Sequence, residues 1–216
     1  MTLKEKIDTY KEGFKAKVPK KAQEIMQRAT NDLQNSPQML KTIKVGDMAP
    51  EFSLKNAANT DVALRDLLGR GPVVLNFYRG RWWPYCNMEL EALSALADQF
   101  STAGATLVLI SPQLPEHNAA IAKEKGLAVD ILSDPGNVVA ASYGLKYQMP
   151  DDLIAIYKQF RLDIPKHNGD DSWTLPIPAA LIIGGDGIVR HTNINADYTN
   201  RPEPEDTMAD LKKISF

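Results

Sequence analysis

The chain has 216 residues, 44% of them hydrophobic and 24% charged, with a formal net charge of −2. That balance suits a soluble globular protein with a packed core, and it leaves no footprint for nucleic acid or for a strongly charged partner. One cysteine excludes an intramolecular disulfide, a tetrathiolate zinc site and any two-thiol couple within a single chain.

The first 17 residues carry charges throughout and no apolar run, so neither a secretory signal nor a membrane anchor is expected there. Ile7, Tyr10, Phe14 and Val18 recur at helical spacing, and Pro19 ends that helix or opens the next. A second helix over about 20–33 would turn Ile25, Met26, Ala29 and Leu33 inward, and Asn35-Ser36-Pro37 breaks it. Residues 1–43 therefore read as a helical extension, and 44–216 as the main domain.

Gly46 to Pro50 forms a turn before a short strand at 51–54. Val73-Val74-Leu75-Asn76-Phe77-Tyr78 and Thr106-Leu107-Val108-Leu109-Ile110-Ser111 are apolar runs of strand length, as buried central strands should be. Between them, residues 87–100 place Leu90, Leu93, Ala97 and Phe100 on one helical face. A helix at 116–125 stops at Gly126, a strand follows at 129–132, and a helix near 137–143 stops at Gly144. Residues 146–173 interrupt the alternation as an insertion over one sheet edge, with one helix at 153–160. Gly184-Gly185-Asp186-Gly187 joins strands at 179–183 and 188–192 as a hairpin, and a helix at 204–214 closes the chain. This order predicts an α/β fold, a mixed sheet flanked by helices, with an N-terminal helical extension.

The segment Phe77-Tyr78-Arg79-Gly80-Arg81-Trp82-Trp83-Pro84-Tyr85-Cys86-Asn87-Met88-Glu89 carries the chemistry. It sets Cys86 in the first turn of a helix, where free N–H groups and the helix dipole favour an anion. Arg79 and Arg81 lie just upstream, and spacing alone does not say which points inward. Glu89, three residues on, would serve best by orienting an arginine, because a carboxylate beside the sulfur opposes the thiolate. The Trp82 to Tyr85 cluster reads equally as a ligand platform or as filler. His117, His167 and His191 are far apart in sequence, which disfavours a zinc site.

These residues resemble the alkyl hydroperoxide reductase/thiol-specific antioxidant branch of the peroxiredoxins, within the thioredoxin-like superfamily. The match continues in Val45-Gly46-Asp47-Met48-Ala49-Pro50-Glu51-Phe52-Ser53-Leu54, Ile110-Ser111-Pro112, Leu132-Ser133-Asp134-Pro135 and Ile177-Pro178-Ala179, covering about 44–216. The resemblance implies a thioredoxin-like domain and a thiol peroxidase that reduces hydrogen peroxide or small organic hydroperoxides. It puts Cys86 at the peroxidatic position, with Arg79 and Glu89 beside it and Tyr78, Trp83, Pro84 and Pro178 lining the pocket. It also implies Pro178 as a cis proline. No cofactor or metal is implied. With no second cysteine, an external thiol, glutathione or a thioredoxin-like protein, must regenerate the enzyme. A homodimer, a cytoplasmic location and no nucleic-acid or membrane partner complete the expectation.

Two departures qualify it. Trp83 stands where peroxiredoxins have a threonine and where close relatives have the first cysteine of Trp-Cys-Pro-Tyr-Cys; its ring would desolvate the sulfur. The late-strand arginine of many peroxiredoxins is replaced near Pro178, with Arg79 or Arg201 as substitutes. The alternative is a redox-inert thioredoxin-fold binding or assembly module; a weaker one is a thiol sensor forming a mixed disulfide.

Overall fold

The structure, a computed structural model, describes residues 1–214; residues 215 and 216, the last of the expected main domain, lie outside them. The N-terminal elements are α1 (Leu3–Lys17), α2 (Lys20–Gln34) and the single turn α3 (Pro37–Leu40). Then come β1 (Ser53–Asn56), β2 (Asp61–Ala63), α4 (Leu64–Leu68), β3 (Val73–Phe77), α5 (Pro84–Ser94), α6 (Ala97–Thr102) and β4 (Thr106–Ser111). The chain continues through α7 (Pro115–Lys125), β5 (Asp130–Ser133), α8 (Val138–Ser142), β6 (Lys146–Gln148), α9 (Asp151–Gln159) and α10 (Ile164–Asn168). It ends with β7 (Thr174–Pro176), β8 (Ala179–Ile183), β9 (Val189–Ile194) and α11 (Pro204–Lys213).

Seven strands form one mixed sheet in the order β2-β1-β5-β4-β3-β8-β9, and β6 pairs with β7 separately. β3, β4 and β5 run parallel at its centre, while β1 and β8 pair antiparallel on either side of them. The pleat of β3 decides which residues face which layer. Val73, Leu75 and Phe77 enter one apolar cluster with Leu64, Leu67 and Tyr143, whereas Val74 and Tyr78 enter the other with Cys86, Leu90 and Tyr157.

The N-terminal helices join that second layer. Leu3, Ile7, Ala22, Met26 and Ala29 are buried in it, each large side chain contributing about 1.5–3 kcal/mol by leaving water. Thr2 and Glu5 form a capping box at the start of α1. There the N–H groups of Leu3 and Lys4 donate to the Glu203 carboxylate at 2.9 and 2.8 Å, an anion at a helix N-terminus. The inward stripe of α2 is Ala22, Met26, Ala29 and Leu33, with Ile25 only half-buried.

Several boundaries differ from expectation. The first strand starts at Ser53 and forms a hairpin with β2. The helix expected over 87–100 begins at Pro84 and breaks between Ser94 and Ala97. The insertion holds two helices and β6, which pairs with β7 just past its end, and it reaches over the Cys86 loop, where Tyr157 stacks on Trp83. Gly126, at φ 61°, ends α7 in the left-handed conformation that glycine adopts without penalty. Pro178 is trans, like every peptide bond among the described residues, which corrects the expected cis proline. Trans is the lower-energy form of an X–Pro bond, by about 0.5–1 kcal/mol, and Pro178 falls between β7 and β8, where the chain changes ladders and the missing N–H is tolerated.

Candidate active site

The corner between β3 and α5 is tightly fixed. Tyr78, one step past the strand, is buried and its hydroxyl donates to Asn118 Oδ1 at 3.0 Å. The same oxygen accepts from Ser111 Oγ and Gln113 Nε2, each at 3.0 Å, while Asn118 donates to Ser133 Oγ. Gln113 in turn accepts from the Arg81 N–H at 2.9 Å, tying the loop to the ends of β4 and β5. Gly80, at φ 148°, takes a backbone conformation closed to other residues, and the Trp82 indole occupies the space a Cβ would need.

Trp83 is the N-cap of α5 and Pro84 its first residue, which needs no N–H. Tyr85 and Cys86 follow, in the turn whose N–H groups have no intrahelical acceptor. Cys86 is fully buried. Its Sγ accepts a hydrogen bond from Arg201 Nη2 at 3.5 Å. Arg201 Nη1 forms a buried ion pair with Glu89 Oε2, and Nε donates to the Tyr198 carbonyl at 2.7 Å. Asn76, from β3, donates to the other Glu89 oxygen at 3.2 Å. All three guanidinium nitrogens are thus used, and both oxygens of the carboxylate are engaged. Burial works to lower the Arg201 pKa, and the Glu89 carboxylate and the Cys86 sulfur more than reverse it, so the guanidinium stays charged beside the sulfur.

The arginine on the sulfur is therefore Arg201, not Arg79. The backbone of Arg79 continues from β3, and its side chain turns to the ring of Tyr198, 4.7 Å from centroid to guanidinium carbon. It is 97% buried, forms no ion pair among the described residues, and its Nε has no acceptor.

The aromatic cluster fills space against the protein's own rings. Trp83 stacks on Tyr157 at 5.5 Å and meets Tyr198 edge-on at 5.2 Å and Tyr85 at 5.9 Å. Trp83 is 4% exposed and Pro84 half-buried. Pro178 is buried immediately before β8, the neighbour of β3. The fold brings His117 and His167 together, with ring centroids 4.7 Å apart, yet no group of three metal-binding side chains occurs among the described residues.

This geometry gives one buried sulfur at a helix start, a guanidinium donating to it, and a carboxylate holding that guanidinium. The family model for the AhpC/TSA family matches residues 45–192. The chain belongs to the AhpC/TSA family. It is accordingly a peroxiredoxin-type oxidoreductase, a thiol-dependent peroxidase of thioredoxin-like fold. Among similar proteins, a putative peroxiredoxin bcp of Helicobacter pylori is 34% identical over 104 residues, 48% of this chain and 68% of that protein. The putative peroxiredoxin Rv2521 of Mycobacterium tuberculosis is 36% identical over 108 residues, 49% of this chain and 68% of its own length. The crystal structure of the peroxidoxin BcpB from Mycobacterium tuberculosis superposes with a TM-score of 0.63 at 25% identity, covering 81% of this chain and 99% of that one. The AhpC/TSA match contains Cys86 and Glu89 but stops short of Arg201, and it excludes the N-terminal helices. The signal available for Arg201 was its place in the closing segment before Pro202 and Pro204, with no feature of spacing to tie it to Cys86.

Proposed function

We propose that Cys86 is the sulfur that attacks the peroxide, with Arg201 as its electrostatic partner and Glu89 as the residue that positions Arg201. The observation that carries this is the Arg201 Nη2 to Cys86 Sγ hydrogen bond at the first turn of α5. The Cys86 thiolate attacks one peroxide oxygen, the O–O bond breaks, and the departing oxygen takes a proton and leaves as water or an alcohol. Arg201 donates to the thiolate and to the oxygens as negative charge moves along the S–O–O axis, where a fixed donor acts without reorganising. The sulfenic acid is then attacked by an external thiol, releasing water and leaving a mixed disulfide, which a second external thiol opens. Glutathione or a thioredoxin-like protein supplies these thiols, in keeping with a reducing, cytoplasmic setting for a chain with one cysteine.

Small peroxides suit the site best, because the sulfur is fully buried and Trp83 closes its aromatic side. A cleft of about 340 Å³ between α1 and α2 reaches Tyr85 and Tyr198, rings that pack on Trp83. No helix among the described residues is long and apolar enough to cross a membrane. A homodimer through the helical extension belongs to the same proposal, since Met1 and Leu40, near its two ends, are exposed apolar side chains that a second copy would cover.

The test is peroxide-dependent oxidation of Cys86 at neutral pH, followed by sulfenate trapping and mass spectrometry. Oxidation far faster than that of free cysteine, with turnover on addition of a thiol, is the expected result. A rate equal to that of free cysteine overturns the proposal in favour of the redox-inert module.

A further inference from the structure

Arg201 Nη2 meets the Cys86 sulfur at 3.5 Å, the longest of the Arg201 side-chain contacts, so its aim depends on what holds the other two nitrogens. One holder is Glu89, which shares α5 with Cys86 and keeps its place relative to the sulfur. The other is the Tyr198 carbonyl, which accepts from Nε at 2.7 Å. Tyr198 belongs to residues 195–203, between β9 and α11 and outside any strand or helix. The side chains of Asn195 and Asp197 accept from the N–H groups of Asp197 and Thr199, local turns that shape the segment without placing it against α5. The Tyr198 ring ties the segment to the Cys86 corner. Trp83 and Tyr85, from the start of α5, meet that ring at 5.2 and 5.7 Å, and the Arg79 guanidinium lies over it at 4.7 Å.

We propose that Arg79 is a positioning residue for the peroxidase reaction: it holds the Tyr198 ring, the Tyr198 carbonyl holds Arg201, and Arg201 is thereby aimed at Cys86. The proposal rests on the reading of Cys86 and Arg201 as the reacting pair. Arg79 leaves the backbone just past β3, so it ties Tyr198 to the sheet, while Glu89 ties the same guanidinium to α5. Both elements that meet at the corner then fix where Arg201 sits. A planar cation drawn to a ring face sets the tilt of that ring as well as its distance, which an apolar side chain of similar reach does not. Arg79 acts through Tyr198, not on the sulfur.

A double-mutant cycle on the full chain tests this, read by stopped-flow oxidation of Cys86 with hydrogen peroxide and by titration of its thiolate through ultraviolet absorbance. Arg79→Met slows oxidation by about 10- to 100-fold, the scale of a small misplacement of a reacting group. It also raises the Cys86 pKa, in the direction that Arg201→Met does. Added to Arg201→Met, it causes no further loss of rate and no further rise, because the residue it positions is gone. An unchanged rate in Arg79→Met overturns the proposal. So does an equal loss with and without Arg201, the mark of a direct field at the sulfur or of plain packing. If Arg201→Met alone leaves both readouts unchanged, the reacting pair itself is misassigned, and this proposal falls with it. Should Arg79→Met fail to fold, Tyr198→Leu, which removes the ring, takes its place in the cycle with the same outcomes.

Discussion

Two buried arginines flank Tyr198, and the protein treats them in opposite ways. Arg201 donates to the Tyr198 carbonyl, pairs with Glu89 and reaches the Cys86 sulfur, so each of its nitrogens is committed. Arg79 lies over the ring of the same tyrosine with no carboxylate of its own. Arg79 is nearer to Cys86 in sequence, yet the residue 115 positions away is the one on the sulfur. Proximity along the chain says little here because both residues lie past the end of β3: the Tyr78 hydroxyl turns to Asn118, and Arg79 turns to the Tyr198 ring in place of the sulfur. A charge held by a partner on every nitrogen can be used for chemistry at a fixed point, and Arg201 is the one so held.

The sharpest way to break this comparison is at the sulfur itself. Cys86→Ser removes the nucleophile and takes thiol-dependent peroxide turnover to the uncatalysed level in a coupled assay. Arg201→Met follows. It removes the donor aimed at the sulfur and lowers the rate of peroxide reaction by about 10²–10³-fold, the range for losing one preorganised donor. It also strands the Glu89 carboxylate in the interior and costs about 3–5 kcal/mol in urea unfolding. Adding Glu89→Gln to that variant restores much of the stability and none of the rate, which separates positioning from packing. Arg79→Met, by contrast, leaves no buried carboxylate behind, and its stability stays within about 1 kcal/mol of the unaltered chain. A loss as large as that of Arg201→Met would show that Arg79 has a protein partner after all.

Trp83 sharpens the same contrast from the other side. Its ring packs on Tyr157, Tyr198 and Tyr85, so Trp83→Thr opens a cavity and costs about 3–5 kcal/mol. The smaller residue uncovers the sulfur, and stopped-flow oxidation by an organic hydroperoxide becomes faster even though the fold is weaker. Slower oxidation would mean that the indole holds the Cys86–Arg201 pair in register.

How far the sequence could be read follows from what each contact depends on. β3 and β4 were legible because every residue of β3, and all but the first of β4, is buried, which demands an unbroken apolar run. The β1–β2 hairpin was not, since β2 is the edge strand, both strands are partly exposed, and Lys55 and Asp61 face each other across them. The break before Ala97 was hidden because Leu90, Leu93 and Phe100 keep their burial on both sides of it. Cys86 and Glu89 stood out through a local rule, a helix start and its next turn. Arg201 entered only as one of two substitutes for the late-strand arginine, because choosing between it and Arg79 depends on how α11 and the segment before it dock, and no periodicity encodes that. The trans Pro178 shows the same limit: which ladder a proline leaves is a property of the sheet, not of the tripeptide around it.

The smallest effect separates the loop from the core it rests on. His167 and His117 meet beside the Cys86 loop, and the His167 Nδ1 is buried without a partner. Burial, then the charges of His117 and Arg81, holds the His167 pKa below its ordinary value. The unfolded chain therefore takes up this proton more readily than the folded one. Stability from this residue is complete above about pH 6.5, the free imidazole value, and is lost as pH falls through and below it. Urea midpoints measured from pH 7.5 down to 5.5 should decline, and His167→Gln should flatten the decline. An unaltered slope in that variant would place the protonation elsewhere and leave the two histidines as neighbours without consequence for folding.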